Sequence, residues 1–122
     1  MIVLTFPVPA HPLSINESNR MHWAARRRRL EPWAVSVTAE FRNSGWTGPQ
    51  QPVHIQVTIP FSKRGRRDPH NYTGTVVKTV VDALVREGLV PDDAAEWVVV
   101  EDPVFAVPSA TAQVDIWPQE KV

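Results

Sequence analysis

The chain has no cysteine. Disulfides and thiolate metal sites are therefore excluded, and the absence fits a reducing compartment. It also lacks a hydrophobic run of membrane length. The apolar stretch Met1–Phe6 ends at Pro7 with no basic segment before it, too short for a signal peptide or a span. The expectation is a soluble cytoplasmic protein with no membrane partner. Net charge is missing too, because 13 Lys and Arg balance 13 Asp and Glu. Taken alone, that balance argues against nucleic acid. No Walker loop, dinucleotide fingerprint, zinc-finger spacing or nucleophile elbow is present, and no segment repeats.

What is present suffices for one core. At 122 residues and 43% hydrophobic content, a single domain over residues 1–122 is expected, burying roughly two thirds of its unfolded surface. Its charges are unevenly spread. Six arginines lie between Arg20 and Arg42, four of them consecutive at Arg26–Arg29. Lys63, Arg64, Arg66 and Arg67 form a second basic group. Acids gather later, at Asp92, Asp93, Glu96, Glu101, Asp102, Asp115 and Glu120.

Ile2–Phe6 reads as a strand stopped by prolines. Arg20–Asn43 has a helical pattern that Pro32 should break or kink. Val53–Ile59 alternates apolar and polar residues, the mark of a half-buried strand. After a basic loop over Phe61–Asn71, Thr73 or Thr75 is expected to cap a helix running to about Glu87. Its buried stripe would be Val77, Val80, Val81 and Leu84, with Gly88 as its stop. Trp97–Val100 reads as a strand buried on both faces, and Ala110–Ile116 alternates again. The order β-α-β-α-β-β predicts an α/β fold, a single domain with a mixed sheet and helices packed on it.

The chemistry concentrates around Arg66-Arg67-Asp68-Pro69-His70-Asn71, Lys78, Asp82 and Asp92-Asp93. Pro69 favours extension at Asp68, and residues two apart in an extended segment share a side. Asp68 and His70 would then grip one cation, with a third ligand from Asp92 or Asp93. Such a cation polarises a phosphoryl oxygen and acidifies bound water, while Lys78 offsets charge building on the phosphate. The competing reading is a capped turn at Asp68, a plain turn at Asp92-Asp93 and a helix-surface ion pair between Lys78 and Asp82. Arg26–Arg29 spreads around a helix, so it is either a solvated face or a broad phosphate-contacting surface. Trp23, Trp33 and Trp46 read as packing residues, and His11, His22 and His54 as structural ones.

The run from Arg64 to Asp93, with Asp82-Ala83-Leu84 and Gly88-Leu89 between the charged groups, resembles the RusA family of Holliday junction resolvases. That family has an arginine-rich loop, an Asp-x-Asp-Asn element, a helix with a lysine and a following Asp-Ala-Leu, then a glycine and a paired-aspartate turn. Ser14-Ile15-Asn16 with Asn19-Arg20 looks like the family's Ser/Asn-rich loop after the first strand. The resemblance implies a homodimeric, magnesium-dependent endodeoxyribonuclease that cuts four-way DNA junctions symmetrically, in a bacterial or phage setting.

By that resemblance the catalytic residues are Asp68, His70, Lys78 and Asp93. The metal ligands are Asp68, His70, Asp92 and Asp93. The DNA contacts are Asn16, Arg20, Arg26, Arg27, Lys63, Arg64, Arg66, Arg67 and Asn71. Two departures stand out. His70 replaces the family's second aspartate, and Tyr72-Thr73-Gly74-Thr75 looks like an insertion at the start of the helix. Imidazole suits manganese better than magnesium, so Mn2+ is expected to outperform Mg2+. The alternatives are a junction-binding protein that has lost catalysis and a small metal-binding domain of unrelated function.

Overall fold

The alternation at Val53, Ile55, Val57 and Ile59 builds the central strand, with all four side chains buried. The computed structural model describes residues 1–120. In chain order its elements begin with β1 (Ile2–Pro7), α1 (Ile15–Ser18), α2 (Trp23–Asn43) and the central β2 (Val53–Pro60). A composite helix follows: α3 (His70–Tyr72), a π-helical turn (Thr73–Val77) and α4 (Lys78–Arg86). The chain finishes with β3 (Val98–Val100), β4 (Val104–Ala106) and β5 (Thr111–Pro118).

β1 pairs antiparallel with β5, and β5 antiparallel with β2. On its other edge β2 pairs parallel with β3 and then with β4. The fold is a single α/β domain with a mixed five-stranded sheet. Leu4, Phe6, Ala112, Val114 and Ile116 join the β2 residues and the two long helices in one core. The opposite sheet face, with Gln56, Gln113, Asp115 and Trp117, is only half-buried.

Three expectations need correction. The basic helix starts at Trp23, where the His22 ring nitrogen accepts the Ala24 N–H at 3.3 Å, and it runs through Pro32 without a break. A proline inside a helix costs about 3 kcal/mol. Trp33, Val37 and Phe41, four residues apart, are all buried, each contributing about 1.5–3 kcal/mol. Packing therefore outweighs the lost hydrogen bond.

The strand at Trp97–Val100 is shorter and not buried on both faces. Val98 is buried, but Val100, on the same face of the strand, is 42% exposed, because this strand is the edge of the sheet. Past Glu101-Asp102-Pro103 the same edge resumes as β4, a strand too short to announce itself in sequence.

The composite helix begins at His70, before Thr73 and Thr75, so neither threonine caps it. The anticipated stripe of Val77, Val80, Val81 and Leu84 is buried. Its end follows the glycine rule: Gly88 has φ +91°, its N–H reaches Val85 O at 3.0 Å, and Leu89 N–H reaches Leu84 O at 3.1 Å. That pair of bonds satisfies carbonyls a helix end otherwise leaves open.

Candidate nucleic-acid interface

β2, the composite helix and β3 form a βαβ unit. The chain leaves β2 at one end of the sheet, returns along the helix, and enters the parallel β3 from the other end. This topology decides where each predicted site residue sits.

At the first end, Phe61, Tyr72 and Phe105 pack mutually edge-on with centroids 5.5–5.6 Å apart. They anchor the exit of β2 and the start of the helix. The Arg67 guanidinium lies 3.8 Å from the Phe61 ring centre. Its NH2 donates to Lys63 O at 3.0 Å and its NH1 to Gly65 O at 3.4 Å. Arg67 thus shapes the basic loop. Burial pushes the Tyr72 phenol above its ordinary value, and the charge of Arg67 opposes that shift. Lys63, Arg64 and Arg66 are exposed and, among the described residues, form no ion pair.

Asp68 follows directly. The expected extended Asp68-Pro69-His70 segment is corrected here: Pro69 is helical at φ −51°, ψ −37°. The Asp68 carboxylate accepts the His70 N–H at 3.0 Å. A carboxylate there satisfies an otherwise open helix donor and meets the positive end of the helix dipole. His70 and Asn71 occupy the first helical turn, with the His70 side chain exposed.

The Ser14–Arg20 segment packs onto this same end. α1 contacts α3 and the π-turn, and Thr75 donates its hydroxyl to the Leu13 carbonyl. Arg26 reaches Ser18 O at 3.4 Å, and Arg29 reaches His11 O and Pro12 O at 3.0 and 3.3 Å. The fold therefore brings Asn16, Arg20, Arg26, Lys63, Arg64, Arg66, Asp68, His70 and Asn71 to one end. Arg27 pairs with Glu31 at 2.8 Å on the exposed side of α2. Trp23, expected to be packed, is 60% exposed beside this surface. Sequence reasoning missed Thr75 and the bracing role of Arg29. The insertion-like Tyr72-Thr73-Gly74-Thr75 is the visible signal for the first, since a π-turn accommodates an extra helical residue.

The far end is acidic. Arg42 and Glu87 join the C-terminal ends of α2 and α4, so the two helices run side by side in the same direction. Asp82, Asp92 and Asp93 line a cleft of about 330 Å³ with Arg86. Lys78 pairs with Asp82 at 3.2 Å, both well exposed, and Asp92 accepts the Ala94 N–H at 2.8 Å. The composite helix is about 25 Å long at roughly 1.5 Å per residue. Asp68 lies just before it and His70 in its first turn, whereas Asp92 and Asp93 lie after it. The predicted ligand set therefore does not converge within one chain. Among the described residues no three His, Asp or Glu side chains gather as a metal ion requires.

No helix among the described residues is long and apolar enough to cross a membrane. No protein-family model matches the chain, and no curated protein matches it significantly.

Proposed function

We propose that the chain is a RusA-like endodeoxyribonuclease that binds and cuts four-way DNA junctions as a homodimer. The observation that carries this reading is the packing of α1 (Ile15–Ser18) on the start of the composite helix, α3 and the π-turn, directly after the basic Lys63–Arg67 loop. There an exposed carboxylate, Asp68, is flanked by basic side chains that form no ion pair among the described residues. Phosphates attract those cations whatever the base sequence, so branch shape would govern recognition.

One protomer does not fit a metal ion held by Asp68, His70, Asp92 and Asp93 together, because the helix separates the two pairs. The reading therefore needs two copies. In an antiparallel two-fold pair the basic end of each protomer faces the acidic end of its partner, an arrangement that charge favours and a self-complementary interface permits. Asp68 of one chain then stands near Asp92 and Asp93 of the other. Lys78 would exchange its weak, exposed contact with Asp82 for the scissile phosphate.

Mixing two inactive variants tests this. Asp68→Asn and Asp93→Asn are each expected to abolish cutting of a synthetic four-way junction in magnesium and in manganese. Mixed heterodimers carry one intact site if the residues meet across the dimer, so nicking returns. Mixtures that stay inactive would overturn the shared site.

A second reading is a junction-binding protein that does not cut. The Asp68 carboxylate is already engaged at the helix start, which favours this alternative. Tight junction binding without cleavage in either metal would establish it.

A further inference from the structure

The buried stripe of α2 runs on past the core. Trp23, Leu30 and Val37 are spaced seven apart, about two helical turns each, so they share one face of the helix. Burial falls away along that face: Val37 is fully buried, Leu30 half-buried and Trp23 60% exposed. The helix therefore carries an indole on its inward side beyond the core that would cover it. A lone exposed apolar side chain needs no explanation. What sets this one apart is its open face and the charges around it.

The His22 ring centre lies 5.6 Å from that of the indole, with the planes tilted by 39°. His22 is held there by accepting the Ala24 N–H at 3.3 Å. It leans over one side of the indole without lying flat on it. With 60% of the residue in water, the covered part is too small to close both faces. Arg26 and Arg27 follow by three and four residues, as its neighbours on the helix, and Arg20 precedes it by three. Arg20 and Arg26 form no ion pair among the described residues. The Arg26 guanidinium donates to Ser18 O at 3.4 Å, which fastens this turn to α1 and so to the end of the sheet that carries Asp68. A flat apolar face among arginines fits an unpaired nucleobase and the phosphates attached to it. It fits a second copy of the chain poorly, because a two-fold contact there would bring the same arginines together.

We propose that Trp23 is a stacking platform for one unpaired base at a DNA branch point, with Arg20 and Arg26 on the phosphates beside that base. The inference rests on the DNA reading above and deepens it. Phosphate contacts alone hold any duplex, since they are indifferent to sequence. A closed duplex keeps its base faces stacked on one another, whereas a branch point can offer one to the indole. Trp23 would thus supply the preference for branched over linear DNA that the surrounding cations lack.

The test uses the protein's own fluorescence, which a base stacked on an indole quenches, with a four-way junction, a short single strand and a closed duplex as probes. Wild-type protein is expected to lose emission on the junction and the single strand and to keep it on the duplex. Trp23→Leu retains an apolar side chain and every charge. It should abolish the quench and weaken junction and single-strand binding about tenfold, the scale of one lost base stack, with duplex binding unchanged. Trp23→Phe keeps an aromatic face and should recover part of that affinity. Because the residue is exposed, both variants should melt as wild type does. If the junction is bound but Trp23→Leu keeps the quench or the full affinity, the platform is wrong while the DNA reading survives. A loss of dimer in Trp23→Leu, seen by sedimentation without DNA, would also overturn it, because the indole would then cover a second copy. If wild type binds neither junction nor single strand, the platform and the DNA reading both fall.

Discussion

Thr75 donates its side-chain hydroxyl to the main-chain carbonyl of Leu13, 62 residues earlier in the chain. Both residues are buried, at 2% and 0% exposure. This bond ties the π-turn of the composite helix to the segment that carries Asn16 and Arg20. It thereby holds together the two stretches on which the DNA reading depends.

Removing that hydroxyl leaves a buried carbonyl without its partner. Thr75→Val should lower stability by about 1–3 kcal/mol, seen as a lower urea midpoint with an unchanged slope. Thr75→Ser keeps the hydroxyl and should retain much of the difference. A valine variant as stable as wild type would mean that the bond contributes nothing net.

Gly74 sits in the middle of the same turn without the positive φ that would require glycine. A Cβ there meets only the Ile15 Cδ1 atom, at 4.0 Å. Gly74→Ala should therefore raise stability by about 0.5–1 kcal/mol, chiefly by restricting the unfolded chain. A lower melting temperature would show that the π-turn needs glycine for another reason.

Local patterns were legible where one face of an element meets the core. β2 follows its alternation, α4 its stripe at three and four residues, and Gly88 its stop. The misses arose where tertiary context decides. Pro32 is tolerated because Trp33, Val37 and Phe41 are buried around it. β4 is three residues long and exists because β2 offers it an edge. The residue before a proline favours extension, which would align Asp68 with His70, whereas Pro69 itself starts a helix. The distance between Asp68 and Asp93 follows from the direction of a βαβ crossover, which spacing along the chain does not reveal. Nor does spacing reveal which arginines are occupied: Arg67 and Arg29 hold carbonyls, while Arg64 and Arg66 project freely.

The Arg42–Glu87 pair makes acid stability testable. The Glu87 carboxyl is held below its ordinary value by the hydrogen bond from Arg42, against the opposing effect of burial. A carboxylate whose value is lowered by folding stabilises the protein above its unfolded value. That contribution is lost as pH falls through the lowered, folded value. Glu87→Gln should therefore flatten the fall in stability on acidification below about pH 5, more clearly at low salt, since surface pairs are screened. Glu31, lowered in the same way by Arg27, belongs to an exposed helical pair, and Glu31→Gln should change the profile less. Equal effects of the two variants would contradict the special place of Glu87, whose side chain is only 15% exposed.

The free and the occupied arginines should separate in a salt titration. Each phosphate contact on duplex DNA contributes about 0.9 to the slope of log K against log salt. Lys63, Arg64 and Arg66 are exposed and form no ion pair among the described residues, so replacing all three with glutamine should reduce the slope by up to about 2.7, with the fold intact. Arg29 spends its guanidinium on His11 O, Pro12 O and, at 3.7 Å, Glu17. Arg29→Gln should instead leave the slope almost unchanged and lower the melting temperature, because the loop after β1 loses its brace. The reverse pattern, a steep loss of salt dependence at Arg29 and none at the loop, would place the DNA path along α2 and away from Asp68.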